Sequence, residues 1–109
     1  MHELGITRNI VSIVTEKAGG EPVRRVTITI GKLTAVLPEA IRFCFDIVSQ
    51  GTVAEGADLE IIEIPGTAEC RTCGTHFELE QLYGQCPCGS VDITRLTGEE
   101  LLVKHMVTA

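Results

Sequence analysis

Apolar residues recur along this chain with two different periods. Between residues 4 and 18, Ile6, Ile10, Ile13, Val14 and Ala18 fall at helical spacing and predict one apolar stripe. Gly19-Gly20 ends that helix. Over residues 23–30 the period shortens to two: Val26, Ile28 and Ile30 point one way and Thr27 and Thr29 the other, the pattern of a half-buried strand. Pro38 suits the first turn of a second helix, with Ala40, Ile41, Cys44, Ile47 and Val48 as its inner face and Gly51 beyond its end. Alternation returns at 58–64, with Leu59, Ile61 and Ile64 inward, and at 99–107, with Leu101, Val103 and Val107 on one face.

The stretch from 68 to 96 follows neither period. It holds four cysteines, the glycines Gly74, Gly84 and Gly89, and few aliphatic side chains. Apolar burial alone cannot order such a segment. Pro65-Gly66 and Thr97-Gly98 read as hinges on either side of it. The expected architecture is α+β: two helices packed on a small three-stranded sheet, built from residues 1–66 plus 99–109. A zinc-ribbon-like module, residues 67–98, is inserted between its last two strands.

Composition narrows the class. At 109 residues the chain fits one modest domain with a small insert. The hydrophobic share of 44% belongs to a folded chain, and with three Phe, one Tyr and no Trp its core must rest on Ile, Val and Leu. A formal charge of −6, with Arg24-Arg25 the one adjacent basic pair, argues against a nucleic-acid partner. No stretch is apolar for long enough to span a bilayer, and the opening Met1-His2-Glu3-Leu4-Gly5 lacks the form of a secretory signal. The expected compartment is the cytoplasm, where clustered cysteines indicate metal binding before disulfides.

Cys70 and Cys73 are separated by two residues; after twelve more comes Cys86-Pro87-Cys88-Gly89. Two cysteine pairs at this separation supply the four thiolates of a tetrahedral zinc site, closed to substrate and therefore structural. The second pair is tighter than the usual knuckle, so His76, three residues after Cys73, is either a reserve ligand or an exposed hairpin residue. A redox Cys-x-x-Cys would open a helix, whereas this one follows a strand. Cys44, between Phe43 and Phe45, reads as a small buried hydrophobe, and His105 sits in an alternating strand with nothing pointing to a metal.

His2 offers a different chemistry. Its imidazole, its own amide nitrogen and the amine of Met1 can close two adjacent chelate rings on one metal. The amide of Glu3 can give a fourth nitrogen and its carboxylate an outer or axial contact. A nitrogen-rich, planar set favours Ni(II) or Cu(II) over Zn(II) and Mg(II).

The opening Met1-His2-Glu3-Leu4, the run Gly31-Lys32-Leu33, the segment from Ala40 through Asp46 and the two cysteine pairs together resemble the HypA/HybF family, over essentially the whole chain. Members of that family deliver nickel for maturation of [NiFe] hydrogenase. The resemblance implies nickel held by His2 with backbone nitrogens, Met1 giving its amine and Glu3 supporting. It implies zinc on Cys70, Cys73, Cys86 and Cys88. The implied partners are a nickel-binding maturation GTPase, the hydrogenase large-subunit precursor and, in some members, urease maturation proteins. Many members carry Cys-Pro-x-Cys where this chain has Cys86-Pro87-Cys88, which leaves the geometry of the second knuckle open. No phosphate loop, His-Glu-x-x-His or Ser/His/Asp set is present, so the expectation is a chaperone rather than an enzyme. A zinc-ribbon interaction module with no nickel role is the alternative, and the hinge pairs would allow a homodimer by domain swapping.

Overall fold

The structure is a computed structural model describing residues 3–109. Its elements run α1 (Glu3–Ala18), β1 (Val23–Gly31), a 3-10 turn (Lys32–Thr34), α2 (Pro38–Val48), β2 (Asp58–Ile64), β3 (Gly66–Cys70), β4 (His76–Leu79), β5 (Ile93–Thr97) and β6 (Leu101–Thr108). Among the described residues two three-stranded sheets form, ordered β2-β1-β6 and β4-β3-β5. The chain divides into two compact units. One comprises Met1–Thr29, Val36–Ile62 and Leu102–Ala109, the other Ile30–Ala35 and Glu63–Leu101. The fold is α+β, two helices on a small sheet with a separate cysteine-bearing ribbon.

In the first unit α1 and α2 pack together. The buried stripe of α1 is Thr7, Ile10, Val11, Val14 and Ala18, turned slightly from the expected one. Ile13 lies off that stripe and is 45% exposed. Thr7 tolerates full burial because its hydroxyl donates to the Glu3 carbonyl at 2.7 Å, so no polar atom is left dry. In α2 the inward residues are Ile41 and Phe45, one turn apart. Ile47 points outward, and Cys44 is half-buried rather than buried. Pro38 does occupy the first turn, where its missing N–H costs nothing.

β1 differs from the half-buried strand expected. Every residue from Val26 to Gly31 is buried, including Thr27 and Thr29 on the second face. A central strand covered on both faces keeps its polar side from water, and period-two alternation does not report that cover. Thr27 Oγ1 donates to Glu60 Oε1 at 3.0 Å, while the buried Thr29 hydroxyl has no hydrogen-bond partner among the described residues. β2 and β6 are the edge strands, and on β6 Leu101 and Val107 stay substantially exposed instead of sharing a covered face.

The second unit is a ribbon centred on β3. Its antiparallel partners are β4, from Gly66 opposite Leu79 to Glu69 opposite His76, and β5, from Thr67 opposite Thr97 to Cys70 opposite Ile93. Its apolar core is small: Leu33, Ala68 and Leu79, with Phe77 and Ile93 packed against them. Leu33 comes from the 3-10 turn far earlier in sequence. The two glycines expected as hinges lie where backbones cross. A Cβ on Gly31 would strike the Gly98 carbonyl, and one on Gly98 would meet the Gly66 Cα at 2.6 Å. Gly98 also adopts φ +111°, which side chains rarely accept.

Candidate metal centre

β3 ends at Cys70, and a tight turn follows at once. The Cys70 N–H donates to the Thr75 carbonyl and the Gly74 N–H to the Cys70 carbonyl, both at 2.9 Å. This curls residues 71–74 around the Cys70 sulfur, with Gly74 at φ +77°. The second pair sits on a similar turn. Gly89 N–H donates to the Cys86 carbonyl at 2.8 Å and Cys86 N–H to the Ser90 carbonyl at 2.9 Å, Gly89 taking φ +97°. The single residue between Cys86 and Cys88 is thus accommodated by left-handed backbone at the glycine that follows. In each turn an amide faces a sulfur: Cys73 N–H to Cys70 Sγ and Cys88 N–H to Cys86 Sγ, each at 3.4 Å.

Backbone and side-chain bonds outside the cysteines brace the two turns. Arg71 N–H donates to the Asp92 carbonyl at 2.9 Å, and the Thr72 and Ser90 hydroxyls pair at 2.8 Å. Gln85 Nε2 donates to the Gly89 carbonyl at 2.7 Å. The metal-ligand spacing of the sequence gives these polar residues no part in the site. The signal was their position directly beside or between the cysteines.

The result is convergence. All four sulfurs lie within 4.8 Å of one another, with Cys73 Sγ to Cys86 Sγ at 3.5 Å and Cys70 Sγ to Cys88 Sγ at 3.8 Å. A tetrahedron of sulfurs about 2.3 Å from a central zinc has edges of about 3.8 Å. These separations fit that geometry and are far beyond the roughly 2.05 Å of a disulfide. Cys70 and Cys86 are buried, Cys73 and Cys88 exposed. His76 stands outside the cluster, on β4, its Nε2 3.1 Å from Glu69 Oε2.

The thiols are electrostatically unequal. The Cys73 amide, chief among several influences, lowers Cys70 from 9.0 to about 6. Cys73 is also lowered, first by the Thr75 hydroxyl 3.1 Å from its sulfur. Cys86 goes the other way. The Cys88 amide is the largest single influence and lowers it, but burial and the neighbouring sulfurs outweigh that amide and push it up to about 12. Sulfurs this close cannot all ionise without a cation among them, so the metal-free cluster keeps a proton at Cys86.

The other predicted site lies at the chain's start. Met1 and His2 fall outside the described residues. Glu3 opens α1, and its Oε2 accepts a hydrogen bond from Leu37 N–H at 3.3 Å. Among the described residues no helix is long and apolar enough to cross a membrane.

Known proteins resemble this chain along its whole length. The family described as "HypA: Hydrogenase/urease nickel incorporation, metallochaperone, hypA" matches residues 1–108. A protein named hydrogenase maturation factor HypA from Trichormus variabilis is 62% identical over 106 residues, covering 97% of this chain and 94% of the relative. One of the same name from Geobacter sulfurreducens is 43% identical over 107 residues, covering 97% of each. The solution structure of the Ni metallochaperone HypA from Helicobacter pylori superposes with a TM-score of 0.72 at 24% identity, covering 99% of this chain and 97% of that one. At that identity the likeness speaks for the fold.

Proposed function

The chain belongs to the HypA family of hydrogenase/urease nickel-incorporation metallochaperones, and from that premise we propose that it carries Ni(II) at its own N-terminus for maturation of [NiFe] hydrogenase. The match across residues 1–108 carries the reading, because it includes the Met1-His2-Glu3 opening together with both cysteine pairs. Nickel is cargo here. The Met1 amine, the His2 amide and imidazole and the Glu3 amide form a planar nitrogen set suited to Ni(II), with the Glu3 carboxylate in support. Such a site is open, so a competing site on a docked partner can take the metal by ligand exchange without covalent chemistry. A nickel-binding GTPase and the hydrogenase large-subunit precursor are the partners this role calls for, with urease maturation proteins as a further set. The compartment is the cytoplasm, and a homodimer is compatible with the role.

Zn(II) on Cys70, Cys73, Cys86 and Cys88 is the structural half of the proposal. It rests on the sulfur separations and on the amides that face Cys70 and Cys86. Zinc would supply the folding free energy that a core as small as Leu33, Ala68 and Leu79 does not. Functionally the chain divides into a nickel-binding domain, residues 1–66 plus 99–109, and a zinc-binding domain, residues 67–98, in which His76, paired with Glu69 on β4 outside the sulfur cluster, reads as an exposed hairpin residue rather than the alternate ligand its sequence position also allowed. Tyr83 and Val91, 84% and 73% exposed on the cysteine-bearing unit, favour a second role as a protein-docking module. That role coexists with chaperoning.

Calorimetric titration of Ni(II) into the native chain, into His2→Ala and into a chain extended by residues before Met1 tests the terminal site. Binding is expected in the native chain only. Equal binding by all three would place nickel elsewhere.

A further inference from the structure

The start of α2 lacks the polar residue that ordinarily caps a helix. Leu37 occupies the cap position with extended backbone (φ −87°, ψ 117°) and no side-chain acceptor for the orphan amides. A glutamate at the third helical position could reach back to the cap residue's N–H, as in a capping box, but Ala40 stands there. The bond is made from outside. Glu3 Oε2 accepts from Leu37 N–H at 3.3 Å, placing a carboxylate at the positive end of the α2 dipole. Glu3 is held at its other end too, since its carbonyl accepts from the Thr7 hydroxyl at 2.7 Å.

We propose that Glu3 is a positioning residue: its carboxylate caps α2 through Leu37 and so fixes the origin of the nickel-carrying terminus. This rests on the terminal nickel site argued above and narrows the part Glu3 plays in it. In this role the carboxylate serves the helix through its bond to Leu37, and the amine, amides and imidazole are the donors, the set that suits planar Ni(II). Two residues anchored at a held third have fewer conformations to lose when they wrap a metal, so the anchor strengthens binding without touching the ion. Removing either side of the Glu3–Leu37 pair therefore weakens nickel uptake while every donor remains.

The test uses Glu3→Ala, Glu3→Gln, Leu37→Pro and the double variant Glu3→Ala/Leu37→Pro. Proline removes the Leu37 N–H, and φ −87° lies near its range, so this variant probes the pair even if Glu3→Ala folds poorly. In the metal-free chain, the Leu37 amide is expected to shift and to exchange about tenfold faster in Glu3→Ala than in the native protein, and to stay protected in His2→Ala. In nickel titrations, Glu3→Ala and Leu37→Pro each weaken binding by about fivefold, and the double variant weakens it no further. Glu3→Gln, which keeps an acceptor oxygen but loses the charge, should keep the Leu37 amide more protected than Glu3→Ala does and bind nickel between the Glu3→Ala and native affinities. An unchanged Leu37 amide in Glu3→Ala, or nickel losses that multiply in the double variant, would overturn the proposal. Should the amide respond while the native terminus takes up no nickel, the terminal site itself is wrong and Glu3 is a helix cap alone.

Discussion

At the scale of single residues, the four cysteines do most to define the chemistry. Their spacing made them legible as a set, but not their inequality, which comes from which amides turn toward which sulfur. With Cys70 lowered to about 6 and Cys86 raised to about 12, the metal-free cluster near pH 7 holds a thiolate at Cys70 and a proton at Cys86. Zinc uptake must expel that proton, so apparent affinity should rise with pH above 6 by at least one proton's worth per unit. Below about 6 Cys70 too must be deprotonated, and the dependence should steepen. Calorimetry in buffers of differing ionisation enthalpy counts the protons released. A second expectation separates ligand from neighbour. Cys70→Ser should cost more than the roughly 100-fold in zinc affinity that changes around a metal's ligands cost. His76→Ala, which removes only an exposed pair with Glu69, should leave zinc affinity at neutral pH nearly unchanged and stability within about 1 kcal/mol. Equal losses from the two would make His76 a principal ligand.

At the scale of elements, the hydrophobic periods located both helices and the strands β1, β2 and β6 to within a few residues. They were less informative about which way each element faces. Ile13 and Ile47 looked like core residues because they are aliphatic and close to the stripe, yet both are about half exposed. Thr7 falls outside the apolar stripe of α1 and Thr27 on the polar side of β1, yet both are buried, because each finds an acceptor, the Glu3 carbonyl and the Glu60 carboxylate respectively. Such partners depend on tertiary placement, which a single-chain period does not encode. The measurable consequence lies in α2. Phe45→Ala should destabilise the chain by about 3–5 kcal/mol, and Ile47→Ala by well under about 1 kcal/mol, as read from denaturant midpoints. Comparable losses at the two positions would mean that the inner face of α2 had been misplaced.

At the scale of the whole molecule, the sequence announced an inserted segment of unusual composition but not all that the segment's unit would include. Leu33 belongs to its core, and Gly31 lies against the Gly98 carbonyl, although neither is near the cysteines in sequence. Contacts so distant along the chain leave no local pattern. The thinness of that core sets the next expectation. Chelating zinc at neutral pH should abolish amide protection across β3, β4 and β5 while α1 and α2 keep theirs, as followed by hydrogen exchange. A metal-free chain with a fully protected ribbon would show that apolar packing suffices. The proposed role stands on the other metal and on two residues at the chain's start. The most direct measurement is the electronic spectrum of the Ni(II)-loaded chain with its terminal amine free and with that amine acetylated. The free chain should show the absorption of a planar, nitrogen-coordinated Ni(II) at one equivalent, and the acetylated chain should not. The same spectrum from both would mean that nickel is held somewhere other than the terminus.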